Sequence, residues 1–266
     1  MNIYEPMLPD ILDSFEQVFT NWDAVAIEPK IDGIRIQIHL KNGECKIFTR
    51  TGNEVTEKLP ILCSKLIESC FSKDSVLDGE LVAAEDGKIL PFEETMKLIK
   101  SKNPPLNASV ILFDLIKFEK CIAYDLPYFE RRQMLEIAVN PNDNVSVIPS
   151  KFVKNEKEAE ELYRKILDLK FEGIVAKDVY GYYDFGRSTS VLKLKPLNFI
   201  DLTVASKQSL KAGGFKYILN EDNKEKAMLR DYRCFEIGAW VEVAFEKEYS
   251  SGKLRFARIV REREDK

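Results

Sequence analysis

The sequence predicts an α+β protein built mainly on antiparallel sheet, continued by a small, separate β-structure near the C-terminus. Three observations carry this. Apolar and polar residues alternate over 25–27, 34–40 and 45–49, with a turn at Lys41-Asn42-Gly43, the pattern of paired strands. Helical spacing over 59–71 and 156–169 is interspersed with short apolar runs, without the strict strand–helix–strand alternation of a parallel sheet. Beyond residue 196 the helical periodicity fades.

Taken in chain order, the runs at 76–77, 81–83, 110–113, 145–148, 173–175 and 191–194 supply further strands. Asn155 stands where its side chain caps the helix over 156–169. After KLKP (193–196) come strand-like segments at 200–205, 215–219, 239–245 and 254–260, separated by glycine-containing or charged turns. Short strands of this kind fit a small β-barrel, of which the OB-fold is a common form. The expected domains are therefore 1–196 and 197–266.

Composition narrows the function. With 266 residues, 45% hydrophobic and 32% charged, the chain has the balance of a soluble globular protein with a substantial core. No apolar run approaches bilayer length, and the opening MNIYEPMLPDILDSF lacks the layout of a secretion signal, so a cytoplasmic protein without a membrane partner is expected. Five scattered cysteines without a C-x-x-C pair argue against a zinc site and a disulfide framework. The single histidine, His39, argues against imidazole catalysis, and its place in the alternating stretch 34–40 is expected to face solvent. The net charge of −4 is uneven: 14 Lys+Arg face 12 Asp+Glu over 197–266, against 26 and 32 upstream. Nucleic-acid contact, if made, must come from local basic patches.

EPKIDGIRIQI (28–38) puts a lysine and an Asp-Gly pair at the mouth of a strand. Alone, Lys30 reads as a surface lysine and Asp32-Gly33 as an ordinary turn. A lysine amine forms a covalent bond only when uncharged, so a nucleophilic lysine needs particular neighbours. If its electrophile is a nucleoside triphosphate, the other parts follow: carboxylates for a divalent cation, cations for the phosphates, and an aromatic face for the base. Candidates stand at strand ends. Glu80 sits in VLDGELV (76–82), Phe113-Asp114 closes VILF, and Glu172 precedes GIVAK. Lys193 and Lys195 alternate in LKLKP, and period two puts both ammonium groups on one strand face, where an anion would relieve their repulsion. Singly, each has a bland reading as a turn acid, a core ring or a solvated charge.

Together these residues resemble a known family. KIDGIR (30–35) resembles motif I of the covalent nucleotidyltransferase superfamily, which comprises ATP-dependent DNA ligases, RNA ligases and mRNA capping enzymes. FTR (48–50), DGELV (78–82), FDL (113–115), EGIVAK (172–177) and KLKP (193–196) look like its later motifs, in order. LRFARIVREREDK (254–266) resembles the C-terminal motif of ATP-dependent DNA ligases, with Ala257 where that motif usually has proline. The resemblance covers nearly the whole chain. It implies an adenylation (nucleotidyltransferase) domain followed by an OB-fold, with ATP and Mg²⁺ or Mn²⁺ as cofactors. The implied reaction joins a 5′-phosphate to a 3′-hydroxyl at a nick in duplex DNA.

The resemblance also implies roles. Lys30 is the nucleophile that becomes lysyl-AMP; Glu28 lies beside the adenine and Phe113 stacks on it; Glu80 contacts the ribose. Arg35 and Arg50 lie along the nucleotide and the nicked strand, Arg187 contacts the nucleotide, and Lys193 holds the α-phosphate with Lys195 beside it. Glu172 is the metal ligand. Arg258, Arg261, Asp265 and Lys266 orient the leaving pyrophosphate when the small domain closes. Fewer than thirty residues precede Lys30, and EPK, PML (6–8) and GIVAK look closest to the ligase module of bacterial and archaeal end-joining systems. A monomeric minimal ligase in DNA repair, working with a Ku-like end-binding protein, is the expectation. The alternatives are an RNA ligase or capping-type enzyme, and a non-catalytic nucleic-acid-binding protein that uses the barrel.

Overall fold

In the computed structural model, the described residues are 3–12, 14–72, 74–101 and 107–263. The chain divides into two compact units, Met1–Leu194 and Lys195–Lys266. Within the larger unit one sheet orders its strands Met7–Ile11, Gly186–Leu194, Gly173–Asp178, Val25–Lys30 and Lys151–Val153. The other runs Glu44–Thr49, Ile34–Lys41, Asp74–Glu85, Asn107–Phe118 and Val145–Val147, with Lys88–Ile89 folding back on Asp74–Glu85. Among the described residues of this unit, only the Met7–Ile11 and Val145–Val147 pairings are parallel.

Helices cover the outer faces, as an α+β arrangement requires. Pro60–Ser69, Phe92–Lys100 and Tyr128–Ala138 bury Leu62, Leu66, Leu98 and Leu135 against Ile36, Ile38, Leu77, Leu81 and Leu112 of the second sheet. Phe15–Asn21 and Glu156–Asp168 bury Val18, Ala159 and Ile166 against Ile27, Ile174 and Ala176 of the first. Asn155 caps the latter helix, its Oδ1 accepting from the Glu158 amide at 3.0 Å. The helix Tyr128–Ala138 has no counterpart in the sequence reading, because its inward face carries Arg131 and Arg132, which break the apolar period.

His39 departs from expectation. It is buried, with Nε2 2.9 Å from Gln37 Oε1 and its ring edge-on to Phe48. Strand Ile34–Lys41 is covered on both faces: Ile36, Ile38 and Leu40 enter the core, while Gln37 on the other face bonds the backbone of Tyr4. Burial, with the Lys117 charge adding to it, pushes the His39 pKa down to about 4.

The two sheets meet over charged residues. Arg131, 1% exposed, grips Asp114, 4% exposed, through Nε–Oδ1 at 2.7 Å and Nη2–Oδ2 at 3.1 Å. Its Nη1 donates to the carbonyls of Leu126 and Gly181, so the guanidinium is well satisfied. Burial alone would raise the Asp114 pKa, but Arg131 and Lys177 outweigh it and hold the carboxyl below its usual range.

The smaller unit is an OB-fold. Its antiparallel strands run Lys224–Asp231, Phe215–Glu221, Asn198–Ser209, Trp240–Phe245 and Arg258–Glu262, and the two end strands touch, which closes the barrel. Leu202, Val204, Tyr217, Leu219, Val241 and Val243 fill it. No helix among the described residues is long and apolar enough to cross a membrane, and all five cysteines are free thiols.

Removing one partner of a buried ion pair strands the other, so Arg131→Met should cost about 3–5 kcal/mol of stability, read as a lower urea midpoint. An exposed pair such as Arg164–Glu160 gives the control, where Arg164→Met should change stability by less than about 0.5 kcal/mol.

Candidate active site

The chain leaves the first sheet at Lys30 and enters the second at Ile34. Only Ile31-Asp32-Gly33 span the crossing, so Lys30 stands where the two sheets part. Gly33 permits the approach: a Cβ there would lie 2.3 Å from the Leu81 carbonyl oxygen and 2.8 Å from Glu80 Cγ. The demand is steric, since the clash is with backbone that cannot step aside.

Lys30 Nζ lies 2.6 Å from Glu172 Oε2, and both side chains are mostly buried. Register holds this pair, because Gly173 lies opposite Lys30 and the Glu172 amide donates to the Lys30 carbonyl at 3.3 Å. Glu80 feels the same charges. Burial raises its pKa to about 7; Lys30 and Arg35 oppose the rise, while Asp78 and Glu172 add to it.

Arg35 is locked. It donates to Asp78 at 3.0 Å from Nε and 2.6 Å from Nη2, to the Met7 carbonyl, and to the Tyr183 hydroxyl at 3.3 Å, and it lies 5.3 Å from the Phe113 ring centroid. Burial works to lower its pKa, but Asp78 and Tyr183 win and it rises. Tyr183 donates in turn to Asp78 Oδ2 at 2.6 Å.

Glu28, 2% exposed, projects from the same strand as Lys30. Its Oε1 accepts from the Tyr128 hydroxyl, and its Oε2 lies 3.0 Å from Lys177 Nζ. Arg132 Nη1 is 3.9 Å from Oε1 and, though buried, has no hydrogen-bond partner. Lys177 also donates to the Phe113 carbonyl at 2.9 Å.

The structure therefore gathers Glu28, Lys30, Arg35, Glu80, Phe113 and Glu172 where the two sheets of the larger unit face each other. Arg50 is exposed beside a small recess lined by Tyr4, Pro6, Arg35 and Asp78. Arg187 is 66% exposed and bonds Asp10 at 3.2 Å. Lys193 lies opposite Val175 in the strand that ends at Leu194, so Lys195 falls just beyond that strand. Lys195 belongs to the smaller unit, pairing with Glu246 at 2.7 Å and lying 5.7 Å from the Phe256 ring. In that unit Arg258 is exposed, and Arg261 bonds Glu242 at 3.0 and 3.3 Å. Asp265 and Lys266 lie outside the described residues.

This geometry can be compared with known proteins. The family described as ATP dependent DNA ligase domain matches residues 6–195, which hold every member of the gathered cluster. The chain belongs to the ATP-dependent DNA ligase family. The DNA ligase of Methanosphaera stadtmanae is 37% identical over 202 residues, covering 73% of this chain and 36% of its own length. That of Methanopyrus kandleri is 30% identical over 291 residues, covering 90% and 52%. The chain thus spans roughly a third to a half of these relatives. Among solved structures, Pmar-Lig superposes with TM-score 0.77 at 21% identity, covering 99% of this chain and 68% of that one. The ligase domain of M. tuberculosis LigD gives 0.62 at 18%, covering 99% and 96%. At these identities the likeness is one of fold, and it holds for both units of this ligase-family chain.

Sequence reasoning gave no role to Asp78, Tyr128, Arg132, Lys177 or Tyr183, although Asp78 and Lys177 stand inside the DGELV and EGIVAK motifs. Lys177 had a signal, since a lysine ending the apolar run GIVA is out of place on a buried strand. Tyr183 had none: its value comes from a loop that folds back over Arg35. No group of three or more His, Cys, Asp or Glu side chains is gathered for a metal among the described residues. Glu80 and Glu172 nevertheless suit Mg²⁺, which is commonly held by one or two carboxylates together with substrate phosphates.

Gly33→Ala should destabilise the fold by about 3 kcal/mol, because the added methyl meets a carbonyl oxygen. For Glu80, the folded pKa of about 7 lies above the ordinary 4.5, so the fold loses stability as pH rises between those values. Glu80→Gln should remove that loss, gaining roughly 2–3 kcal/mol on wild type between pH 5 and pH 8 in urea unfolding.

Proposed function

We propose that this chain is an ATP-dependent DNA ligase that seals nicks bearing a 5′-phosphate and a 3′-hydroxyl through a lysyl-AMP intermediate. The observation that carries the reading is Lys30 held 2.6 Å from Glu172 at the parting of the two sheets, within the family-matched region. In this reading the cations brought in around ATP favour loss of the Lys30 ammonium proton to solvent, and the free amine attacks the α-phosphorus of ATP, giving up a second proton to solvent as the N–P bond is made. The N–P bond forms as the bond to pyrophosphate breaks. A 5′-phosphate oxygen of the nick then displaces the lysine, and the 3′-hydroxyl displaces AMP to complete the phosphodiester.

Each neighbour has a task in this scheme. Phe113 stacks on the adenine, Glu28 reads its edge, and the unpartnered Nη1 of Arg132 offers a further donor there. Glu80 contacts the ribose, and half-burial at a pKa near 7 leaves it able to donate or accept. Lys193 holds the α-phosphate, while Arg35, fixed by Asp78, lies along the nucleotide, with Arg50 and Arg187 at the exposed rim. Glu172 would hold a divalent cation together with the phosphates of ATP, and that ion would supply neutralisation of the charge building on them. A repair role beside a Ku-like end-binding protein, as a monomer, completes the proposal.

Intact-protein mass spectrometry after incubation with ATP and Mg²⁺ should show the gain of one adenylyl group, discharged when nicked duplex DNA is added. Lys30→Ala should abolish it; an adduct retained in that variant removes Lys30 as nucleophile. Labelling by GTP in place of ATP would favour the capping-type alternative, and folded protein labelled by neither would favour the non-catalytic one.

A further inference from the structure

We infer that Lys177 is a positioning residue that sets nucleobase choice, by fixing the distance between the group that reads the base edge and the ring that stacks on its face. This rests on the ligase reading and adds to it a residue from outside the nucleotide-contacting set. Lys177 and Glu28 lie on one face of the first sheet: Lys177 is opposite Ala26 and Glu28 opposite Val175, so the two are diagonal neighbours across adjacent strands. The lysine Nζ reaches Glu28 Oε2 at 3.0 Å. It also reaches across to the second sheet, donating to the Phe113 carbonyl at 2.9 Å and lying 3.8 Å from Asp114 Oδ2.

One ammonium therefore ties the carboxylate of one sheet to the aromatic residue of the other. Its surroundings leave it little freedom, since it packs 4.6 Å from the Tyr128 ring centroid and 5.4 Å from that of Phe113, and Lys177 is 6% exposed. A carboxylate offers about four acceptor positions. Tyr128 and Lys177 use one on each oxygen of Glu28, which fixes the plane of the group and leaves the others directed by that plane. A carboxylate so aimed accepts from a 6-amino group and repels a 6-oxo oxygen. A Glu28 freed from Lys177 loses that aim, and with it the discrimination.

The test is self-adenylylation-type labelling with ATP and with inosine triphosphate, which replaces the 6-amino group by an oxo group. Wild type should favour ATP in kcat/KM. Lys177→Met should lower the ATP-to-inosine ratio by about tenfold or more, the scale of a charge-assisted hydrogen bond. A merely structural lysine would depress both nucleotides together, and an unchanged ratio in Lys177→Met overturns the inference. Because Lys177→Met leaves Glu28 and Asp114 buried beside a lost cation, Lys177→Met/Glu28→Gln serves as the second variant. Its ratio should equal that of Glu28→Gln alone, as both changes act through one contact; losses that add would overturn the assignment. Wild type labelled by neither nucleotide brings down the ligase reading itself, and this inference with it.

Discussion

The larger unit depends on a buried ion network that joins its two sheets: Arg131 to Asp114, Asp114 to Lys177, and Lys177 to Glu28. Charges taken out of water cost several kcal/mol each unless every one finds partners of the opposite sign and good geometry. Here each does. Arg131 meets a carboxylate and two carbonyls, Lys177 meets two carboxylates and a carbonyl, and Glu28 accepts from a hydroxyl and an ammonium. A slip of one residue in either sheet would turn one of these side chains to the opposite face and leave its partner unpaired. The network therefore contributes a unique register between the sheets more than it contributes net stability.

That register is what builds the site. Lys30 ends the strand that carries Glu28, Glu172 precedes the strand that carries Lys177, and Phe113 is the neighbour of Asp114. Lys30, Glu172 and Phe113 are thus one to five positions from a member of the network. Gly33 completes the arrangement by letting the chain cross to the second sheet against the Leu81 carbonyl, which brings Arg35 and Glu80 to the same place. The price of the arrangement is visible at Glu80, where burial raises a carboxyl pKa to about 7 in spite of the nearby Lys30 and Arg35 charges.

The motifs were legible because nucleotide chemistry needs particular residue types at strand ends, and strand ends are marked by short apolar runs. The antiparallel character, the OB-fold, the helices near 60–69 and 156–168, and the Asn155 cap were legible for the same reason of periodicity. What escaped was what burial on a second face decides. His39 alternates like an exposed residue, yet the N-terminal segment covers it. The helix carrying Arg131 and Arg132 buries charge inward, which inverts the pattern by which helices are recognised.

By itself the sequence determined the class of fold and the family motifs, and it singled out Lys30 as the candidate nucleophile, because these rest on local spacing and on the chemistry of single side chains. Only the tertiary structure decided that Glu172 faces Lys30, that Asp78 and Tyr183 hold Arg35, and that Lys177 bridges Glu28 to Phe113. Those partners lie between 43 and 149 residues apart along the chain, and pairings at that range depend on which strands lie side by side. Short-range pattern carries no record of that choice.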